Sequence, residues 1–137
     1  MLEKARARIR DGHVQFLQAD LMRPWPCADA VAELVTCKLV LEHIKDMGAV
    51  FREAARALAP GGLFFVSDLH PCRQYLGRQA RFVETQGETT KIQAFVHHVP
   101  DFTRAAHETG FQIEQLDEWW GEDDAQNAPR LLTLLLK

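Results

Sequence analysis

The stretch from Asp46 to Val66 constrains this chain more than any other. Met47, Val50, Phe51, Ala54, Ala55 and Leu58 recur at spacings of three and four, the apolar stripe of an amphipathic helix over Asp46 to Ala59, with Asp46 placed to cap it. Pro60-Gly61-Gly62 ends that helix. Leu63-Phe64-Phe65-Val66 follows at once without polar alternation, the pattern of a strand covered on both faces.

The flanking segments extend the pattern. Leu2 to Ile9 reads as a short helix stopped by Asp11-Gly12. Val14-Gln15-Phe16-Leu17 is an apolar run that predicts a strand ending near Asp20. Arg23-Pro24-Trp25-Pro26 can continue neither element, since two prolines remove backbone donors. Leu34-Val35-Thr36-Cys37 predicts a buried strand that runs into Lys38-Leu39-Val40-Leu41-Glu42-His43, with Leu39 and Leu41 in the core. Ser67-Asp68-Leu69-His70-Pro71 reads as a polar loop. Residues 72 to 98, interrupted by Gly77 and Gly87, read as irregular structure or a lid. Asp101 to Thr109 reads as a capped helix closed by Gly110, Phe111 to Leu116 as a half-exposed strand, and Leu131 to Leu136 as a buried final strand. This order predicts one α/β domain over residues 1–137, with a Rossmann-like, mainly parallel sheet and an antiparallel strand pair at its C-terminal end. Ligands of such sheets sit beyond the carboxyl ends of the strands, where Ala19-Asp20, Lys38 to His43 and Ser67 to His70 fall.

Composition excludes several classes. With 137 residues, 47% apolar and 26% charged, the chain is globular rather than disordered. No window approaches 18 uncharged apolar residues, so no transmembrane helix is expected. Sixteen basic against 19 acidic residues give a net charge of -3 and no basic field for nucleic acid. Cys27, Cys37 and Cys72 are an odd count at wide spacing, which fits reduced thiols in a cytoplasm better than a disulfide framework or a zinc site. The basic start, Met1 to Arg10, reads as a solvated helix face rather than a transit peptide. The acidic stretch Glu114 to Asp124 reads as an exposed turn.

Met1-Leu2-Glu3-Lys4-Ala5-Arg6, Gln18-Ala19-Asp20-Leu21 before Pro24-Trp25-Pro26, and Leu39-Val40-Leu41-Glu42-His43-Ile44 resemble class I S-adenosylmethionine-dependent methyltransferases. So do Leu58-Ala59-Pro60-Gly61-Gly62-Leu63-Phe64, Gly110-Phe111 and Pro129-Arg130-Leu131-Leu132, in family order and spacing. The resemblance implies an S-adenosylmethionine cofactor and methyl transfer to a small-molecule acceptor. In the family, a first strand runs into a glycine-rich turn and a second ends in an acid that holds the ribose hydroxyls. Neither motif is present here, so the sequence resembles the C-terminal part of a methyltransferase, an incomplete or truncated version of the fold. The two missing strands would lie between the Val14 and Leu34 strands. Three outcomes are expected: the Val14 strand moves over, two chains pair through exposed sheet edges as a homo-oligomer, or the fragment is marginal.

The same resemblance assigns candidate roles. Asp20 is similar to the acid that accepts from the adenine amino group, with Leu21 as backbone polarity and apolar wall; otherwise Asp20 is a turn aspartate. Lys38 stands near the cofactor's methionine end, where the family often carries a small polar residue; a lysine there needs a carboxylate, from the cofactor or Glu42. His43 is a candidate general base or a structural histidine. His70 is a candidate catalytic or substrate-side residue or shapes its loop, and Tyr75 is a second substrate-side candidate. Ser67, the single serine, lacks a nucleophile elbow. His97-His98 has no companion ligand at metal spacing, so no metal site is expected. Trp119-Trp120 reads as packing. The alternative function is a non-catalytic fragment that acts only as an oligomer or interaction module. A dinucleotide dehydrogenase would need a Gly-x-Gly-x-x-Gly turn, which is absent.

Overall fold

The computed structural model describes residues 2–77, 81–83, 89–91, 93–121 and 128–137. Helix α1 (Leu2–Arg8) forms where expected and buries no residue. The segment Val14–Leu17 does not form the expected strand and does not move into the sheet. A strand exists only as half of a hydrogen-bonded ladder. Here the Val14 N–H is instead drawn back to the Asp11 carbonyl at 3.1 Å, and Val14 and Leu17 stay 42% and 60% exposed.

Strand β1 (Ala32–Lys38) pairs in parallel with β2 (Leu58–Leu69), and α2 (Met47–Ala57) makes the crossover between them. The apolar stripe of α2 buries Met47, Val50, Phe51, Ala54 and Ala57 as its spacing requires. Asp46 occupies the N-cap position without capping: its carboxylate faces the Arg52 guanidinium at 3.3 Å. Pro60-Gly61-Gly62 is likewise no interruption, because β2 begins at Leu58 as soon as the helix ends. Gly61 takes φ +82°, and β1 shifts register between Ala32 and Leu34 to follow it. At Gly62 a Cβ would come within 2.9 Å of the Leu58 side chain and 3.1 Å of the Ala32 carbonyl, so only glycine fits the close approach.

β2 also runs further than expected. Ser67, Asp68 and Leu69 belong to the strand rather than to a polar loop, paired with Thr133, Leu132 and Leu131. His70 then starts α3 (Pro71–Tyr75), and β3 (Arg81–Val83) with β4 (Thr89–Lys91) forms an antiparallel ladder, so the stretch expected to be irregular carries regular elements. Helix α4 (Val99–Glu108) starts before Asp101, whose carboxylate accepts the His98 N–H at 2.8 Å from inside the first turn. Gly110, at φ +83°, lets the chain leave α4. β5 (Ile113–Trp119) is exposed along its length, more than the expected half, and β6 (Leu131–Leu136) is mostly buried.

The sheet order is β1-β2-β6-β5, one parallel pair followed by two antiparallel ones. This is the expected Rossmann-like α/β class with antiparallel strands at the C-terminal end. Helices α2 and α4 close one face. Phe64, Val66 and Asp68 of β2 lie opposite Leu136, Leu134 and Leu132 of β6, all fully buried with Phe51 and Phe102. Phe51 meets Phe64 edge-on at 5.2 Å. The alternate residues Leu63, Phe65, Leu69, Leu131 and Leu135 stay outside that cluster and partly exposed. Among the described residues, the strand expected to be covered on both faces is sealed on one and partly covered on the other, where Ser67 and Thr133 are buried.

Candidate functional site

Because β1 and β2 are parallel, their carboxyl ends emerge side by side, with Lys38 level with Ser67. The Leu39 N–H still pairs with the Ser67 carbonyl at 2.8 Å. The backbone then turns through φ +53° at Leu39, a left-handed conformation that costs a leucine roughly 1–2 kcal/mol. That turn leaves Leu39 exposed, against the expectation of a core position, and drives Leu41 to complete burial. A short 3-10 helix, Leu41–His43, follows.

What holds this turn is Asp68, a fully buried carboxylate on the neighbouring strand. It accepts the Leu41 N–H at 2.6 Å and the Leu69 N–H at 2.7 Å, and the N–H groups of Glu42 and Val40 also face it. Asp68 therefore caps a helical turn that lies 27 residues away in sequence. At the other end, the His97 Nε2–H donates to the Ile44 carbonyl at 2.7 Å and the Leu41 carbonyl at 3.1 Å. Neither role is visible in the local sequence, because each joins groups on separate elements.

Two buried carboxyls and a thiol share this corner. Burial pushes the Asp68 carboxyl up, and the four backbone N–H groups pull it back. Burial also pushes Glu42 up; His43 opposes that shift and the neighbouring Asp68 adds to it. Glu42 Oε2 has no hydrogen-bond partner among the described residues. The backbone donors are gathered on Asp68, so the burial of Glu42 is the less compensated of the two. Cys37 below them is pushed up to about 12 by burial, with Asp68 contributing.

His43 stands at the surface of this corner. Its Nδ1 lies 3.2 Å from the Gln93 carbonyl, which fixes Nδ1–H as the donor and leaves Nε2 as the basic nitrogen, 3.8 Å from Glu42 Oε1. His70 is different. It is buried, its Nδ1 accepts the Cys72 N–H at 3.1 Å, and its Nε2–H donates to Glu118 at 2.9 Å, so the ring caps α3 and ties it to β5. The geometry favours loop shaping over a free imidazole. Tyr75 is exposed; its hydroxyl hydrogen-bonds His98 Nδ1 and the two rings stack at 5.5 Å. Trp119 packs over β6, its Nε1–H on Thr133 at 2.9 Å.

Asp20 and Leu21 lie on a separate loop. Asp20 is exposed and accepts the Met22 N–H at 2.9 Å in an Asx turn, with Arg23 3.9 Å away. Leu21 is partly buried against the core. The loop is fastened to the last turn of α2. Arg56 donates to the Trp25 and Cys27 carbonyls at 3.2 and 3.0 Å, and Glu53 accepts the Trp25 N–H at 2.7 Å. The Arg56 guanidinium and the Trp25 N–H together hold the Glu53 carboxyl below its usual range. Lys38 is exposed at the strand end. Among the described residues no three His, Cys, Asp or Glu side chains are grouped to hold a metal, and no helix is long and apolar enough to cross a membrane.

Comparison with known proteins shows what these features resemble. Residues 1–66 match the model of a methyltransferase domain. An uncharacterised methyltransferase of Emericella nidulans is 33% identical over 106 residues, covering 72% of this chain and 36% of that protein. A ubiquinone biosynthesis O-methyltransferase of Xanthomonas oryzae pv. oryzae is 34% identical over 74 residues, 54% of this chain and 30% of the relative. The chain thus spans about a third of the length of these curated relatives. The crystal structure of an S-adenosylmethionine-dependent methyltransferase from Mesorhizobium loti superposes with a TM-score of 0.80 at 22% identity, over 99% of this chain and 75% of that one. S-adenosylmethionine is the cofactor on which that solved methyltransferase depends. Of the residues that the resemblance assigns to this cofactor, Asp20 is exposed beside Leu21 with one carboxylate oxygen on the Met22 N–H, and these two would hold it at the adenine end. The front half of the chain thus matches a methyltransferase-domain model, and its fold is that of a solved S-adenosylmethionine-dependent methyltransferase.

Proposed function

We propose that these residues form the acceptor side of an enzyme that transfers a methyl group from S-adenosylmethionine to a small molecule. The observation that carries this reading is His43, set by Asp68 and His97 on a turn at the carboxyl ends of a parallel strand pair, with Nε2, 3.8 Å from Glu42 Oε1, as the base. When bound, the cofactor supplies a methyl group on a sulfonium, open to in-line displacement. Asp20 and Leu21 bind at the adenine end and Lys38 stands at the strand end. His43 takes the proton from an acceptor hydroxyl, a step worth about 100-fold to 10,000-fold in rate. Tyr75, exposed on α3, is on the acceptor side, and His70 fixes the segment that carries it. A small acceptor is favoured by the net charge of -3 and by the likeness to an O-methyltransferase of ubiquinone biosynthesis. Three free thiols suit a reducing compartment such as the cytoplasm.

A second reading, a non-catalytic module, is favoured by the one-ended fit to the cofactor. Calorimetric titration of the 137-residue chain with S-adenosylhomocysteine separates the two. Micromolar binding that Asp20→Ala weakens about tenfold, a loss near 1.4 kcal/mol, supports the cofactor-bearing reading. Absence of heat at millimolar ligand assigns this chain to the second.

A further inference from the structure

The face of the sheet opposite α2 and α4 carries a charge pattern that is complementary to itself. The registers place Lys38, Ser67, Thr133 and Asp117 in one row that crosses all four strands from β1 to β5. Residues level with one another across a sheet share a face, and their neighbours two positions along share it too. One row away lie Thr36, Phe65, Leu135 and Gln115; on the other side lie Leu69, Leu131 and Trp119. Lys38 and Asp117 are the two charged residues in these three rows. They stand at opposite edges, both exposed and, among the described residues, without a side-chain hydrogen bond or ion pair; Ser67 and Thr133 between them are small, polar and buried, and the partly exposed Phe65, Leu135, Leu69 and Leu131 flank that row. Among the described residues α2 and α4 lie on the other side and α1 buries nothing, while α3 follows the end of β2 and buries Pro71 and Arg73.

We propose that a second copy of this chain covers this face. A two-fold axis parallel to the strands, midway between two sheets stacked roughly 10 Å apart, sets β1 of one copy over β5 of the other. The same operation places each Lys38 over the other copy's Asp117, so two ion pairs form at the rims. Phe65 and Leu69 then meet the second copy's Leu135 and Leu131. Pairing through the free edge of β1 would leave this face bare and bring no opposite charges together. The inference concerns self-association and does not rest on the methyl-transfer reading, although Lys38 belongs to both.

Sedimentation velocity on the 137-residue chain tests it, with circular dichroism to confirm that each variant is folded. The wild-type chain sediments at twice its 15.6 kDa mass. Lys38→Asp and Asp117→Lys each weaken the dimer by about tenfold or more, because each sets like charges face to face. Mixed in equal amounts, the two single variants recover the dimer, since each then offers what the other lacks. If a charge reversal unfolds the chain, Lys38→Gln and Asp117→Asn must still weaken the dimer and lessen its salt dependence. A wild-type monomer at about 100 μM, variants that dimerise as tightly as wild type, or a mixture that stays monomeric each overturns the proposal.

Discussion

Leu34–Cys37 and Val14–Leu17 are apolar runs of the same length, and they meet opposite fates. The first lies in β1, paired from Leu34 to Lys38 with β2, and buries Cys37. The second pairs with nothing in the sheet and leaves Leu17 exposed. Their own composition does not separate them; the neighbour does. A strand's backbone donors are satisfied by a ladder or by water, and only the ladder brings side chains into a core. The same rule divides β2 along its length. Phe64 and Val66 are sealed under α2 and α4, while Phe65, between them, faces the other side and stays partly exposed.

The largest expected effect separates the closed core from the unpaired front. Phe51→Ala removes a fully buried ring from between Phe64 and Phe111 and costs about 3–5 kcal/mol in urea unfolding. Leu17→Ala, at an exposed position, changes stability by less than about 0.5 kcal/mol. Equal losses would break the comparison. A middle-sized effect separates the two aspartates. Asp68→Ala strands the Leu41 and Leu69 N–H groups and costs about 2–3 kcal/mol, whereas Asp20→Ala, in a solvated turn, costs under about 1 kcal/mol.

The smallest effect is a pH dependence. Folding raises the Glu42 carboxyl above its ordinary value near 4.5, so the folded chain holds that proton to higher pH than the unfolded chain does. The stability this gives is full below 4.5 and is lost as pH rises through the folded value. Glu42→Gln therefore flattens the decline of the unfolding midpoint as pH rises above 4.5. An unchanged slope would remove Glu42 as its source.

These contrasts also mark what the amino-acid sequence made legible. The stripe of α2 and the apolar run of β6 are local signals that tertiary packing reinforced, so both elements stand close to where their spacing puts them. Pro60-Gly61-Gly62 looks like an interruption because a strand able to follow such a turn needs a partner that shifts register with it, and that partner is 26 residues upstream at Ala32. The lie of His43 at the strand ends was readable from motif order. Asp68 and His97 were not, since their bonds to Leu41 span 27 and 56 residues. His70 was readable as a polar residue on the right loop, but its burial and its bond to Glu118 depend on β5 lying beside it in space.

Amide hydrogen exchange, residue by residue, tests most directly the claim that the partner decides which apolar runs fold. The account predicts that Val35, Val66 and Leu134 exchange only through global opening, while Val14 through Leu17 exchange within about tenfold of the unstructured rate. Protection of Val14–Leu17 equal to that of β2 would contradict it, and would mean that the front of the chain is held by a ladder of its own.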